Sequence, residues 1–435
     1  MKKLILVFLS LAAFRAQAQL TLPNASTYES GRTLCEKTYK SLVAHENGFY
    51  VTVPVDYADP AQGTTDVYAF FSGGYDENKE TLIYFTGGPG QTVHWGLFNA
   101  PMPYNVLIME HRGVGCSRPA TVSQYLNPAF YSSENVARDA EMIRRFLQIP
   151  QWTVYGISYG TVPATIYASF FPAATRAAIL EGVVYSGDHG LWDAPHRRKL
   201  LQKMLNGLPE NILKRMESIS TVHGVPNTWF SQWSRGQLMY TEGLKAVKEK
   251  LLRLEDERTF ASFVADMKSM YEPLPYTPHP LFIANEIPYY MISCQELGLA
   301  LPYVSIADAL VQGKLSPAVD TQSPATCRQL RATTVKSYSA ARYPVKVPVT
   351  YFQGSDDGAT PSPQAVYHYK NVPQGSKQIM ILVRGGHNPN LQLIGDGDSH
   401  QLQFFHFAFK GEKIPRALVK EFNEQNDLFW AFATN

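Results

Sequence analysis

The sequence predicts an α/β fold: a mostly parallel sheet flanked by helices, with a long helical insertion in its chain path. Three observations point there. Short apolar runs alternate with helical periodicities between Phe49 and Val184, the rhythm of strands joined by helical crossovers. Amphipathic helical spacing then dominates residues 188–340. Strand texture finally returns at Val347–Phe352 and Gln378–Val383.

The elements follow in order. Phe49–Val53 and Val67–Phe71 alternate and sit between turn residues, which suits an antiparallel edge. Thr81–Phe85 and Asn105–Met109 read as strands, and Thr81–Phe85 and Val106–Met109 are nearly continuous apolar runs, expected of strands buried on both faces. Val136, Ala140, Ile143 and Leu147 recur at helical spacing over Glu134–Leu147, with Pro150 just beyond. Trp152–Tyr155 reads as a strand, Thr161–Phe170 as a helix and Ala177–Val184 as a strand. Within the insertion, Pro195–Leu205, Asn211–Ile219, Gln237–Leu254 and Thr259–Tyr271 read as amphipathic helices, and a helical pair is expected toward Trp430. The implied organisation is residues 1–18 as a leader, 19–187 as the first part of a core, 188–340 as a helical cap and 341–435 as the rest of the core.

Composition narrows the function classes. The chain has 435 residues, of which 45% are apolar, so it can build a sizeable core rather than remain disordered. With 39 basic against 37 acidic side chains it carries no basic footprint for nucleic acid and no polybasic membrane signal. Lys2, Lys3, the apolar run Leu4–Phe14 and Ala16-Gln17-Ala18 match a cleavable export signal. The run is about half the roughly 20 residues needed to span a bilayer. A secreted or periplasmic protein beginning at Gln19 is therefore expected. Export permits disulfides among Cys35, Cys116, Cys294 and Cys327. Three pairings are possible, and spacing favours Cys294 with Cys327, leaving Cys35 with Cys116. No Cys-x-x-Cys or His-Glu-x-x-His spacing supports zinc, and no other metal or cofactor is implied.

Gly156-Ile157-Ser158-Tyr159-Gly160 is the Gly-x-Ser-x-Gly pattern, preceded by a strand and followed by a helix. That context is what a nucleophile elbow needs, because the flanking glycines permit the sharp turn that lifts the serine hydroxyl. A serine hydroxyl is a weak nucleophile without a base, and the base needs an orienting carboxylate. In sheets of this kind the order along the chain is serine, acid, histidine. His387 lies four residues after the strand ending at Val383, in Gly385-Gly386-His387, whereas His368, His400 and His406 fall in helical stretches and read as packing or surface residues. Asp356 and Asp357 follow the strand Val347–Phe352, and spacing does not choose between them. The turn Gly87-Gly88-Pro89-Gly90 follows another strand without a phosphate-binding signature. It can instead donate a backbone N–H to an oxyanion, together with the N–H of Tyr159.

Together with Val53-Pro54-Val55-Asp56-Tyr57, Arg112-Gly113-Val114-Gly115-Cys116-Ser117 and Asp357-Gly358-Ala359-Thr360-Pro361, these motifs resemble the prolyl iminopeptidase and tripeptidyl aminopeptidase family of serine peptidases with the α/β-hydrolase fold. The resemblance implies a Ser158, Asp357, His387 triad, its Asp-x-x-Thr-Pro pattern selecting Asp357 over Asp356. It also implies an oxyanion site from Tyr159 and Gly87 or Gly88. Ile292-Ser293-Cys294-Gln295-Glu296 is similar to a segment of the family's cap, which makes Glu296 the candidate for binding a peptide's free ammonium. The chain departs from the family at Thr86, where a histidine often stands, and at Glu110-His111-Arg112, in place of Asp-x-Arg. The expected activity is a secreted serine exopeptidase releasing N-terminal residues from short peptides with a free N-terminus. An esterase or lipase using the same triad is the alternative, and a non-catalytic binding module a remoter one. Neither the P1 preference nor an oligomeric state follows from the residues.

Overall fold

A computed structural model describes residues 20, 22–39, 48–92, 102–187, 194–227, 229–238, 244–271, 286–300, 323–333, 336–373, 376–383, 385–387, 399–425 and 429–434. The expected export signal, residues 1–18, lies outside the described residues. Among them no helix is long and apolar enough to cross a membrane.

Nine strands form one sheet: β1 Gly48–Pro54, β2 Thr64–Ser72, β3 Thr81–Phe85, β4 Asn105–Met109, β5 Trp152–Ile157, β6 Thr175–Glu181, β7 Val349–Gly354, β8 Lys377–Val383 and β9 Phe429–Thr434. The spatial order is β1-β2-β4-β3-β5-β6-β7-β8-β9. β2 runs antiparallel to β1 and β4, β9 runs antiparallel to β8, and the pairs between are parallel. The parallel strands β3, β4 and β5 are buried at every position, because helices and loops cover both faces of the sheet. Side chains of alternating residues enter different cores: Val154 and Leu180 pack in one, Tyr155 and Ile179 in the other.

Helix α1 spans Ser133–Phe146 and α2 spans Thr161–Phe170. The hydroxyl of Ser132 caps α1 by accepting from the Asn135 N–H at 3.0 Å. Between β6 and β7 in the chain come α3 Ala194–Leu205, α4 Glu210–Thr221, α5 Trp229–Leu238, α6 Leu244–Leu252, α7 Glu257–Tyr271, α8 Glu286–Gln295 and α9 Ser323–Gln329. Helices α3 to α7 have an apolar core of their own, built around Met204, Met216, Trp229 and Leu251. After β7 come α10 Ser362–Asn371, α11 Ser399–Lys410 and α12 Arg416–Gln425.

Two expectations need correction. The expected helix over Gln237–Leu254 corresponds to two separate described helices, α5 up to Leu238 and α6 from Leu244 to Leu252, residues 239–243 lying outside the described residues. The C-terminus ends in β9 rather than in the helical pair alone, and Trp430 lies on that strand. A short aromatic run there has strand propensity, but pairing with β8 is what makes it a strand.

The four cysteines form Cys35–Cys116 and Cys294–Cys327, as the spacing favoured. The first joins the N-terminal segment to the turn after β4. The second joins the last turn of α8 to α9.

Candidate active site

Ser158 directly follows β5 and adopts a left-handed backbone conformation, φ 54°. A residue with a Cβ takes that conformation only under constraint, and the surroundings supply it. A Cβ on Gly156 would lie 2.3 Å from the Gly160 carbonyl oxygen, and one on Gly160 would lie 2.0 Å from the Phe85 oxygen. Both glycines are thus required for the chain to fold back between β5 and α2. The Gly87-Gly88-Pro89-Gly90 turn closes over the elbow: a Cβ on Gly87 would stand 3.0 Å from the Ser158 Cβ. Gly88 holds φ 114°, which likewise calls for glycine.

His387 and Asp357 meet across two loops at the carboxyl ends of β8 and β7. The Nδ1 of His387 lies 2.7 Å from Asp357 Oδ2, and both side chains are buried. A carboxylate at that nitrogen selects the tautomer with the proton on Nδ1, leaving Nε2 as the basic nitrogen. No other described residue takes up Nε2. Asp357 is held on every side. Its Oδ1 accepts from the N–H groups of Ala359 at 2.8 Å and Thr360 at 2.7 Å. Its Oδ2 also accepts from the Thr360 hydroxyl at 2.7 Å and Gln353 Nε2 at 3.0 Å. Thr360 and Gln353 are therefore supporting residues; the first stands in the Asp-x-x-Thr-Pro pattern, whereas nothing in the sequence marked the second. The neighbouring acid Asp356 does not touch the imidazole in any described bond; its Oδ2 accepts from the Leu244 N–H at 3.2 Å.

Gly182, directly after β6, lies between these parts. A Cβ there would stand 2.8 Å from His387 Cε1 and 3.2 Å from the Thr360 hydroxyl. The end of β6 is paired to the end of β5, Glu181 opposite Ile157, so the histidine is brought to the strand end that carries Ser158. Of the other histidines, His368 is buried between the Thr165 and Tyr351 hydroxyls, at 3.0 and 2.8 Å. Burial lowers its pKa to about 4, so it stays neutral in the core. His406 stands 2.5 Å from the Tyr104 hydroxyl, and the side chain of His400 lies outside the described residues.

Tyr159 is fully buried, and its hydroxyl stands 2.9 Å from the Ser133 hydroxyl. Ser133 in turn donates its hydroxyl to Glu296 and its N–H to the same carboxylate at 3.0 and 3.2 Å. Glu296 is thereby joined to the first turn of α1, where a helix N-terminus favours negative charge. Desolvation nonetheless pushes its carboxyl up to about 7, with the Ser133 hydrogen bonds opposing. The residue remains partly accessible to solvent.

Two buried groups beside the site escaped the sequence reading. Glu181 is 0% exposed at the end of β6. Its carboxyl accepts from the Tyr155 hydroxyl, its second oxygen has no partner among the described residues, and burial pushes it up to about 8. An acid closing an otherwise apolar strand was the available signal. His111 is buried with neither ring nitrogen partnered among the described residues, and desolvation lowers its pKa to about 3. It stacks edge-on to Tyr159 at 5.6 Å.

The arginine motif has a different place. Arg112 forms a two-pronged pair with Asp139, Nε to Oδ2 at 2.8 Å and NH2 to Oδ1 at 2.6 Å. Its remaining donors reach the carbonyls of Val55 at 2.6 Å, Phe130 at 3.1 Å and Pro54 at 3.1 Å. Both pair members are wholly buried. Tyr57 donates its hydroxyl to the same Asp139 at 3.0 Å, so the motifs around Tyr57 and Arg112 are stitched together in the fold. Among the described residues no cluster of histidine, cysteine and acid is arranged to hold a metal.

Comparison with known proteins agrees with this fold. Residues 80–221 match the family model of the alpha/beta hydrolase fold. A probable proline iminopeptidase of Streptomyces coelicolor is 30% identical over 103 residues, 23% of this chain and 32% of that protein. Tripeptidyl aminopeptidase of Streptomyces lividans is 25% identical over 196 residues, 33% of this chain and 36% of that protein. The chain thus spans about a third of the length of the curated relatives it matches. A solved proline iminopeptidase of Mycobacterium smegmatis aligns with 83% of this chain and 98% of its own, at 14% identity and a TM-score of 0.41.

Proposed function

We propose that this α/β-hydrolase-fold chain, a relative of the proline iminopeptidases and of tripeptidyl aminopeptidase, is an exported serine exopeptidase acting on short peptides with a free N-terminus. The observation that carries the reading is the buried His387–Asp357 pair at 2.7 Å, together with a serine held in a strained turn after β5. Ser158 attacks the scissile carbonyl: its Oγ bonds to the carbon, and its proton passes to His387 Nε2. Asp357 keeps the imidazole oriented and stabilises its charged form. The oxyanion accepts from the Tyr159 N–H and from Gly88 or Gly87. The C–N bond then breaks as His387 returns the proton to the leaving amine. Water, activated by the same histidine, releases the acyl group from Ser158 and restores the hydroxyl.

Residues 188–340 act as the cap over this site in the proposal, admitting short chains. Glu296 binds the substrate's ammonium, an interaction that an acetylated peptide, having no charged amine, cannot make. No metal or organic cofactor enters the sequence of steps. The test pairs an unblocked amino-acyl amide with its acetylated form and a short-chain ester, for the wild type and Ser158→Ala. Hydrolysis of the unblocked amide alone, abolished by the substitution, is the expected result. Preference for the ester, or indifference to acetylation, makes the chain an esterase. Undiminished hydrolysis by Ser158→Ala removes the mechanism.

A further inference from the structure

The loops that carry the proposed base and acid are bonded to the helical insertion on either side of one point. The N–H of His387 donates to the carbonyl of Leu238, the last residue of α5, at 2.7 Å. The carboxylate of Asp356 accepts from the N–H of Leu244, the first residue of α6, at 3.2 Å. The carbonyl of Leu238 and the N–H of Leu244 are thus both paired with residues adjoining or belonging to the proposed triad. Asp356 also ties the two loops together, its own N–H donating to the Gly385 carbonyl at 2.9 Å. The loops have no slack between them: a Cβ on Gly354 would meet the Gly386 oxygen at 1.7 Å.

From this we infer that Asp356 is a positioning residue that fixes the helical insertion against His387, so that the seating of the insertion sets the alignment of the base. The inference rests on His387 and Asp357 serving as base and acid, but not on whether the substrate is a peptide or an ester. The adjacent acids then divide the work. Asp357 faces the imidazole, and Asp356 turns its carboxylate to α6 while its N–H holds the loop that leads to His387. Because His387 is bonded through its backbone to Leu238, displacement of Leu238 moves the imidazole directly. Misplacement of a catalytic group by about 1 Å can cost on the order of 100-fold in rate, so even a partial release is measurable.

The experiment compares the wild type with Asp356→Ala, Asp356→Asn and Leu244→Pro, each checked for folding by circular dichroism. Leu244→Pro removes the N–H that donates to Asp356, at the first described residue of α6. Each is assayed for kcat and KM on whichever amide or ester the wild type turns over, and for the rate at which a small fluorophosphonate labels Ser158. The expected result for Asp356→Ala and Leu244→Pro is a fall in kcat of about tenfold or more with little change in KM, and an equal slowing of labelling. Asp356→Asn, whose carboxamide oxygen still accepts from Leu244, is expected to stay within about threefold of the wild type. Wild-type kcat in Asp356→Ala or in Leu244→Pro overturns the inference, as does an Asp356→Asn variant no better than Asp356→Ala. Failure of the wild type itself to label at Ser158 is a different result, overturning the nucleophile assignment and the inference with it.

Discussion

Two buried pairs of side chains in the same fold, Arg112–Asp139 and His387–Asp357, differ in how completely they are partnered. Arg112 and Asp139 are both 0% exposed, and the guanidinium spends its donors on a carboxylate and three backbone carbonyls. The His387–Asp357 pair is almost as deeply buried, yet only its acid is saturated. One imidazole nitrogen is committed, and the other has no partner among the described residues. Burial alone therefore does not mark a functional charge. A fully partnered pair holds elements in place, and a pair with one uncommitted basic atom can exchange a proton.

Exchanging the acids tests this contrast. Asp357→Asn preserves the shape of the site but offers His387 a donor where it needs an acceptor. A loss of about 10⁴ in kcat is expected with the fold retained, measured on any substrate the wild type accepts. Loss of less than tenfold would mean that Asp357 is another Asp139. Asp139→Asn should do the reverse. Leaving Arg112 as an uncompensated buried charge costs about 3–5 kcal/mol of stability. Chemical denaturation should show that loss, while kcat per folded molecule changes little.

Smaller effects sharpen the picture around the site. Glu296→Gln removes the charge proposed to read the substrate's ammonium. It is expected to lower kcat/KM for unblocked substrate by about 10- to 100-fold and to leave the acetylated form unaffected. Equal effects on both would assign Glu296 to the Ser133 end of α1 alone. Glu181 supplies the smallest and most specific test, as a buried acid with no cation beside it among the described residues. Its folded-state carboxyl is raised from 4.5 to about 8, so the native state holds a proton that the unfolded chain releases. The stabilisation is complete below pH 4.5 and is lost as pH rises to about 8. Glu181→Gln should flatten the melting temperature across that window, by on the order of a few degrees. An unchanged pH slope would show that Glu181 is ionised in the native protein.

Much of the site was legible along the chain. Ser158 stands out because an elbow needs glycine two residues away on each side, and the glycine contacts with Phe85 and Gly160 show why. His387 was readable from its place after an apolar strand, since strand ends are where a parallel sheet exposes loops. Strands β3 and β4 were readable, because burial on both faces leaves a nearly continuous apolar run. The contacts of Leu238 with His387 and of Leu244 with Asp356 were not, since each joins residues more than 100 positions apart. β9 likewise depended on a neighbouring strand.

Residue type and local spacing therefore settle what can be nucleophile, base or strand, because those properties belong to a residue and its near neighbours. A family pattern could choose between Asp356 and Asp357, whereas spacing leaves that choice open, since adjacent acids differ only in where the loop points them. Glu181, chemically an ordinary acid, has its carboxyl pushed up only because burial desolvates it, the Tyr155 hydrogen bond opposing the shift. Arg112 becomes structural only because Asp139 and three carbonyls surround it. Partnership and desolvation are properties of what the folded chain brings together, and they decide which charges hold the protein and which remain available for chemistry.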